Sequence, residues 1–396
     1  MNMTADVIII GGAVMGSSIA WWLTRMQPGI DVLVLERDPS YARASTALSV
    51  ASIRQQFTTA VNVQISRFGI DFIRNFDERL EGRGGVSSLG LKENGYLFLS
   101  STAEGAAALA EVAAMQRQHG AATELWGPDQ VKARFPWIEV GDLTAATFGP
   151  RDEGWFDNMG LMAGFRTAAK AQGARFVTAR ATGLTMAGGR VTGVSFETRD
   201  GQTVQASCST VVNAAGTRAA EVMAWADLPL AVEPRKRTVF VIDAPNARHP
   251  DGPLLVDAGF YLRPEHQHWI TATVPQDDGP CDPNDFEPDL HLFEEVIWEQ
   301  LYARCPGFDA VKVVRHWVGH YAYNSLDQNA ILGPHPAVPN LFLCNGFSGH
   351  GLQQAPAIGR GLAEHILHGG WQTLNLDDLS ITRMIEGRPF REQAIV

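Results

Sequence analysis

Cysteine and basic charge are scarce in this sequence. Its 396 residues include only four cysteines, which show no CxxC pair or other metal-ligand spacing: Cys208, Cys281, Cys305 and Cys344. This scatter argues against a disulfide framework or a zinc site, so we expect no bound metal and a reducing compartment. The net charge of −11 argues against a nucleic-acid or anionic-membrane partner, because both require a basic face.

Long apolar runs are missing as well. No stretch approaches the ~20 apolar residues that a membrane-spanning helix needs, and no basic leader precedes the first apolar run at Val7–Ile10. The sequence therefore predicts a cytoplasmic protein without a membrane span. A hydrophobic fraction of 45% in a chain of this length is typical of an ordinary enzyme with two substantial cores.

The first forty residues have the pattern of a dinucleotide-binding unit. A buried strand at Val7–Ile10 is followed by a glycine-rich turn, a helix over Ser17–Met26 and a second strand at Asp31–Leu35. The turn consists of Gly11, Gly12, Ala13, Val14, Met15 and Gly16. Gly11 and Gly16 match the first and third glycines of the GxGxxG fingerprint, which make the tight turn and the close helix packing.

The second glycine of that fingerprint is Ala13, a departure at the closest approach to the phosphates. Glu36 ends the second strand, where a carboxylate can accept hydrogen bonds from a ribose hydroxyl. Its charge favours FAD or NAD over NADP, because a carboxylate repels a 2′-phosphate. The turn, helix, strand and acid together predict dinucleotide binding rather than a purely structural turn.

The rest of the chain predicts a mixed α/β fold, with a Rossmann-like nucleotide-binding domain and an inserted antiparallel β-rich substrate domain. The apolar run Tyr96–Ser100 predicts a strand, and Gly188 and Gly189 indicate a hairpin turn. Residues 228–318 alternate short strands and turns around one helix. We assign residues 1–80, 150–225 and 330–370 to the nucleotide-binding domain, 81–149 and 226–329 to the substrate domain, and 371–396 to a peripheral C-terminal extension.

A second glycine-rich loop, Asn345–Gly351, lies between a predicted strand and a helix. Such a loop presents backbone N–H groups to an electron-rich group, and a reduced flavin carries negative charge at N1 and C2=O. The alternative is an ordinary strand–helix turn in which His350 only caps the helix. On the residues alone, both interpretations stand.

These motifs together resemble the D-amino-acid oxidase superfamily, in the branch with sarcosine oxidase, glycine oxidase and dimethylglycine dehydrogenase. One subgroup, the FAD-dependent oxidoreductase-domain proteins, is especially similar. The resemblance spans nearly the whole chain and rests on Val7–Gly16 with Glu36-Arg37, Ser45-Thr46, Ser52–Phe57, Asp152–Asp157, Val211–Gly216, Glu233–Arg237, Tyr321–Asn329 and Gly346–Gln354.

The resemblance implies that FAD is the cofactor. By similarity, Ser45 and Thr46 contact its phosphates or ribityl chain, the backbone of Val177 meets the adenine, and residues 349–352 hold the pyrimidine side of the ring. The full set of expected cofactor positions is Gly11, Gly12, Ala13, Val14, Met15, Gly16, Glu36, Arg37, Ser45, Thr46, Ser52, Arg54, Gln55, Val177, Ala214, Ala215, Gly216, Gly346, Ser348, Gly349, His350, Gly351, Leu352 and Gln353.

The substrate-site candidates follow from the same resemblance and from side-chain chemistry. Arg54 is the carboxylate-binding candidate, because a guanidinium clamps a carboxylate with two parallel hydrogen bonds; the alternative is a structural ion pair. Tyr261 and Tyr323 are candidates for lining the substrate cavity, and an ordinary core role is the alternative for each. His320 and His350 complete the set.

Departures from the family pattern qualify the expected activity. Relatives that attach flavin covalently use a cysteine near the position of His320 or a histidine in the region between Arg37 and Phe57; this chain has neither, so non-covalent FAD is expected. A lysine that anchors carboxylates in sarcosine oxidases is replaced by Gln353. The strand His268–Val274 lacks their oxygen-activating lysine, so a dehydrogenase is credible.

The resulting hypothesis is hydride transfer from the carbon beside a neutral amine to flavin N5, giving an imine that water hydrolyses. The substrate is an amine or an N-substituted amino acid, and the electron acceptor is oxygen or an electron-transfer partner. Two alternatives stay open: an FAD-dependent 2-hydroxy-acid dehydrogenase, for which His320 or His350 could be the base, and a flavoprotein with an assembly role.

Overall fold

The computed structural model describes residues 3–257 and 259–394. The strands are β1 Met3–Ile10, β2 Val32–Glu36, β3 Ser52–Ile53, β4 Tyr96–Ser100, β5 Glu124–Trp126, β6 Ala145–Gly149, β7 Gly154–Trp155, β8 Arg175–Ala187, β9 Arg190–Thr198, β10 Thr203–Asn213, β11 Val232–Asp243, β12 Leu254–Asp257, β13 Phe260–Glu265, β14 His268–Thr273, β15 Lys312–Asn324, β16 Ile331–His335 and β17 Val338–Asn345. The helices are α1 Val14–Met26, α2 Ala60–Arg74, α3 Phe76–Arg79, α4 Ala103–Gln118, α5 Pro128–Arg134, α6 Asn158–Ala171, α7 Ala219–Ala224, α8 Trp298–Arg304, α9 Gly351–His368 and α10 Thr382–Ile385. A π-helical turn, Phe293–Ile297, precedes α8, and 3₁₀ turns lie at Gly216–Arg218, Pro306–Phe308 and Asp377–Leu379.

The first sheet carries the nucleotide-binding pattern. Strand β1 lies between β2 and β10, and it pairs with both in parallel; β2 continues to β8, and β10 to β17, also in parallel. Val7 and Ile9 belong to one apolar core, whereas Ile8 and Ile10 belong to another. Because alternate residues of a strand point to opposite faces, the continuous apolar run buries β1 on both sides.

The second sheet is almost entirely antiparallel. Its order is β15-β11-β14-β13-β12-β4-β6-β5, and β12–β4 is its one parallel pairing within the described residues. One face packs on α5 and α8 through a core that includes Phe240, Trp269 and Leu301. Tyr96, Tyr261 and Ile270 belong to a separate small cluster of this sheet, part of which borders the cavity described below.

The mixed α/β fold with a Rossmann-like unit and an antiparallel β-rich part is confirmed. The Gly188-Gly189 turn joins β8 to β9 as the predicted hairpin. Helix α1 begins at Val14, three residues before the predicted start, so Gly16 lies inside its first turn. No helix within the described ranges is both long and apolar enough to cross a membrane.

The C-terminal residues are not peripheral, contrary to the expectation from sequence. Arg383 and Glu392 are 5% and 0% exposed. Arg383 forms a buried ion pair with Asp327, and Glu392 accepts hydrogen bonds from residues at the start of α2. The sequence indicated a peripheral extension, but these two charges are buried because each one has partners on the main body.

Candidate active site

A cavity of about 1070 Å³ runs from the carboxyl ends of the parallel strands to one face of the second sheet. Gly11, Glu36 and Ala215 line its first end, and Tyr96 and Tyr261 line the other. Pockets for small ligands measure about 300–1,000 Å³. The cavity is therefore long and large enough for an extended dinucleotide together with a small second molecule.

The glycine-rich turn of β1–α1 depends on two close backbone approaches. A Cβ added to Gly11, whose φ is +103°, would lie 2.4 Å from the Ala214 carbonyl oxygen. A Cβ added to Gly16 would lie 1.9 Å from the Gly11 carbonyl oxygen. Ala13 is the N-cap residue of α1, and its methyl side chain has no group that could bond the backbone N–H groups of the helix N-terminus.

The carboxylate of Glu36 is held at the cavity wall by two backbone donors. Its Oε2 accepts from the Gly12 N–H at 2.8 Å, and its Oε1 accepts from the Asp38 N–H at 2.9 Å. A carboxylate has about four acceptor sites. The two remaining ones are available for hydroxyl groups of a ligand in the cavity.

The loop between β2 and β3 connects the two ends of the cavity. The Ser45 hydroxyl donates to the His320 carbonyl at 2.7 Å, and the Thr46 hydroxyl accepts from the Val14 N–H at 3.3 Å. Farther along, the Tyr96 hydroxyl donates to Ser52 Oγ at 2.8 Å. These bonds fix the loop against α1 on one side and the second sheet on the other.

Arg54 is the buried guanidinium at the far end, with 4% of its surface exposed. Nη1 donates to the Gln56 carbonyl at 2.7 Å, and Nη2 donates to the Ala394 carbonyl. The guanidinium stacks on the Phe57 ring, 4.2 Å from its centroid. The Gln353 side chain accepts from the Arg54 backbone N–H at 2.9 Å, so it helps to hold Arg54 in place. By the family resemblance, Gln353 is the residue that replaces a lysine.

Arg54 differs from every other buried arginine in the described chain. Arg237, Arg263, Arg304 and Arg383 each form an ion pair with a carboxylate, whereas none is found for Arg54 among the described residues. A buried charge normally requires an opposite charge nearby. Within the described ranges, the structural-ion-pair alternative therefore has no partner.

The second glycine-rich loop lies against the substrate-side sheet. Gly349 has a φ of +99°, and a Cβ there would lie 2.6 Å from the Tyr321 ring. His350 is 4% exposed and lines the cavity, and both of its ring nitrogens lack a hydrogen-bond partner in the described structure. Burial lowers the pKa of His350, so the imidazole is neutral at neutral pH.

The tyrosines at the far end are neutral hydroxyl groups. Burial raises the pKa of Tyr96 to about 12 and raises the pKa values of Tyr261 and Tyr321 as well. All three line the cavity. Their rings supply an apolar wall, and their hydroxyls can donate hydrogen bonds without carrying negative charge.

The cavity brings together most of the predicted positions. Of the expected cofactor and substrate residues, those outside its lining are Gly12, Gly16, Gln55, Val177, Gly346 and Tyr323. Val177 pairs with Leu35 in the first sheet, and the lining begins two residues later at Ala179. The Tyr323 ring is covered by the Arg235 guanidinium, 3.8 Å from its centroid.

His320 lines the cavity, but its ring packs edge-on against the Phe286 ring, with 4.7 Å between the two ring centroids. Burial lowers the pKa of His320. The sequence did not identify Tyr96, Tyr321 or Arg237 as lining residues. Tyr96 opens a strand that the sequence predicted and Tyr321 lies in a motif that it singled out, but neither pattern shows which way a ring points.

The family follows from comparison with known proteins. A model of the family described as FAD dependent oxidoreductase (DAO) matches residues 6–365. The chain belongs to this family. It is an FAD-dependent oxidoreductase, and its cofactor is FAD. Such a dinucleotide fits the site described above. The features that suit it are the close backbone approaches at Gly11 and Gly16, the oriented carboxylate of Glu36 and the loop at Gly349.

Individual relatives agree with this assignment. FAD-dependent oxidoreductase domain-containing protein 1 of Xenopus laevis is 40% identical over 99% of this chain and 85% of that protein. Human mitochondrial sarcosine dehydrogenase is 26% identical over 92% of this chain and 40% of its own length. The L-proline dehydrogenase structure from P. horikoshii superimposes with a TM-score of 0.84 at 24% identity, covering 98% of this chain and 100% of that one. The latter likeness shows a shared fold.

Proposed function

We propose that this protein oxidises an amine that carries a carboxylate, an amino acid or N-substituted amino acid, to the imine, which water then hydrolyses. The bound flavin supplies the hydride acceptor for this chemistry. Arg54 carries the proposal: its buried guanidinium has no carboxylate partner within the described part of the chain, and it lies on the wall of a cavity beside the loop that follows β17. A substrate carboxylate is the anion that such a group binds through two parallel hydrogen bonds.

The neighbouring side chains suit a neutral amine. The hydroxyls of Tyr96, Tyr261 and Tyr321 are protonated at neutral pH, and the ring of His350 is uncharged. The nitrogen lone pair of a neutral amine stabilises the cation that forms as hydride leaves, so no strong base is required. The ring nitrogens of His350, which lack a hydrogen-bond partner in the described structure, can bond to polar groups of a ligand without adding charge.

The cofactor contacts belong to the same proposal. The helix N-terminus at Ala13–Met15 would hold the pyrophosphate, Glu36 the ribose, and residues 349–352 the pyrimidine side of the ring. Residues 1–80, 150–225 and 330–370 would form the FAD domain, and 81–149 and 226–329 the substrate domain. Binding is proposed to be non-covalent, and the cytoplasmic location stays a prediction.

An anaerobic titration tests the reaction class. The flavin absorbance band is followed while sarcosine, other N-alkyl amino acids, D-amino acids, L-proline and 2-hydroxy acids are added in turn. Bleaching by an amino acid supports the proposal, and readmitting air then separates an oxidase from a dehydrogenase. Bleaching by 2-hydroxy acids alone, or by dithionite but no compound of the panel, would contradict it.

Arg54→Met tests the carboxylate site. Removing the guanidinium is expected to raise the KM for the active amino acid about 10- to 100-fold, because a charge-assisted bond contributes about 1.5–3 kcal/mol. The matched control is Arg190→Met in the exposed β8–β9 hairpin, which should leave KM unchanged. An unchanged KM in Arg54→Met would show that the carboxylate binds elsewhere.

A further inference from the structure

We infer that the C-terminal segment Phe390–Ala394 is part of the substrate site, and that Glu392 is a positioning residue that sets the orientation of Arg54 through this segment. The contact that links them is the hydrogen bond from Arg54 Nη2 to the Ala394 carbonyl. The inference rests on the proposed carboxylate-binding role of Arg54. It adds a residue 338 positions away in the sequence to that function.

The carboxylate of Glu392 is anchored at the start of α2. Its Oε1 accepts from the Thr58 N–H at 2.8 Å and the Thr58 hydroxyl at 2.7 Å. Its Oε2 accepts from the Thr59 N–H at 3.2 Å, the Thr59 hydroxyl at 2.8 Å and the Asn62 amide at 3.0 Å. Thr59 is the N-cap of α2 and makes no side-chain capping bond, and the Glu392 carboxylate lies at this helix N-terminus, where the helix dipole favours negative charge.

Further bonds hold the segment on both sides of Glu392. The Phe390 N–H donates to Asp327 Oδ2 at 2.9 Å, and the Glu392 N–H donates to the Asp327 carbonyl at 3.0 Å. Beyond Glu392, the Gln393 N–H donates to Thr58 Oγ1 at 2.9 Å and the Ala394 N–H to Glu392 Oε1 at 3.1 Å. The Ala394 carbonyl is therefore fixed relative to α2 and to the Asp327 loop.

The Ala394 carbonyl orients the Arg54 guanidinium without neutralising its charge. Together with the Gln56 carbonyl it accepts from both terminal nitrogens, and neither acceptor is anionic. A free arginine side chain loses rotamer entropy when it is fixed. Because the protein has fixed it in advance, an incoming carboxylate meets a cation that is already oriented and that has no carboxylate partner among the described residues.

Glu392→Gln tests the inference in the FAD-loaded protein. In this variant a side-chain NH2 group replaces one carboxylate oxygen and faces the N–H and hydroxyl donors of Thr58 and Thr59. The C-terminal segment therefore loses the hydrogen bonds that hold it at the start of α2. The probes are 2-furoate and its neutral analogue 2-furamide, whose binding is read from the change in flavin absorbance. We expect the Kd of 2-furoate to rise about tenfold, the Kd of 2-furamide to stay the same and the FAD content to be unchanged.

Two further variants complete the test. Glu386→Gln changes an exposed glutamate of the C-terminal region whose partner is Arg388, and it should bind both probes as the wild type does. Thr58→Val removes the hydroxyl that bonds Glu392 and Gln393. It should weaken 2-furoate binding about threefold, and it decides the question if Glu392→Gln does not fold.

The outcomes separate the inference from the proposed function. If the wild type and Glu392→Gln bind 2-furoate equally, the inference is overturned and the role of Arg54 stands. An equal loss of affinity for both probes would also overturn it, because that reports general damage. If the wild type does not favour 2-furoate over 2-furamide, the carboxylate site itself fails, and the inference with it.

Discussion

At the scale of single residues, the buried carboxylate of Glu153 supports the candidate site through its hydrogen bonds. It is 1% exposed, and its Oε1 accepts from the Gln55 N–H at 2.7 Å while its Oε2 accepts from the Gln56 side chain at 2.8 Å. These are the two residues that follow Arg54. Burial raises the pKa of Glu153 to about 7, so the folded protein retains this proton more strongly than the unfolded chain does.

This difference predicts a pH dependence of stability. An acid with a raised pKa in the folded state contributes stability that is complete below its unfolded pKa and is lost as the pH rises to the folded pKa. We expect the free energy of unfolding of the wild type, relative to Glu153→Gln, to fall by about 3 kcal/mol between pH 4.5 and 7 and to level off above. Urea denaturation at several pH values, followed by tryptophan fluorescence, measures it. A difference that does not change with pH would contradict the raised pKa.

At the scale of elements, the β1–α1 unit is built around a contact between two glycines. The helix approaches the turn so closely that the Gly16 Cα lies against the Gly11 carbonyl, and a methyl group there would also lie 3.2 Å from Ile9. Ala13, three residues earlier, lines the cavity, so a bound ligand can be the neighbour of its side chain. The fingerprint thus requires glycine where two backbone segments touch, and it allows a small side chain where the neighbour is a ligand.

Gly16→Ala should therefore disrupt the whole unit. The new methyl would lie 1.9 Å from a backbone oxygen that cannot move without displacing β1. We expect a loss of stability of about 2 kcal/mol or more and a protein purified with little FAD. Gly183→Ala is the control, because a Cβ there meets nothing within 4 Å. Equal stability and flavin content in the two variants would refute the packing argument.

At the scale of the whole molecule, a buried ion pair joins the C-terminal residues to the main body. Arg383 is 5% exposed and Asp327 is 0% exposed. The Arg383 Nε donates to Asp327 Oδ2 at 2.7 Å, and its Nη2 donates to the Ala330 carbonyl at 2.8 Å. This pair ties the C-terminal residues to the loop between β15 and β16, the same loop that holds Phe390.

Arg383→Met would leave the Asp327 carboxylate buried without its cation. Removing one partner of a buried pair costs about 3–5 kcal/mol, so we expect a loss of that size in the free energy of unfolding. The loosened segment should also weaken 2-furoate binding, because Ala394 would no longer be fixed. Arg388→Met, which removes an exposed partner of Glu386, should cost less than about 1 kcal/mol. Urea denaturation of both variants measures these losses in the free energy of unfolding. Equal losses would show that the Arg383–Asp327 pair is not required for stability.

The family resemblance implied FAD as the cofactor, and the sequence by itself determined the nucleotide-binding unit. Its evidence lies within a span of about thirty residues: an apolar strand, glycines at Gly11 and Gly16, a helix, and Glu36 after the next strand. Each of these features is a local steric or hydrogen-bonding requirement, and local requirements leave a local pattern. The hairpin at Gly188 and the strand at Tyr96–Ser100 were predictable for the same reason.

Only the tertiary structure decided which side chains meet at the far end of the cavity. Arginines that look alike in sequence differ because Arg237 and Arg383 reach carboxylates, whereas the described partners of the Arg54 guanidinium are backbone carbonyls and aromatic rings. Glu392 bonds Thr58 across 334 positions, and no local pattern marks such a pair. Contacts of this kind exist because strands and helices from the entire chain pack together, and their partners are set by that packing rather than by any periodicity.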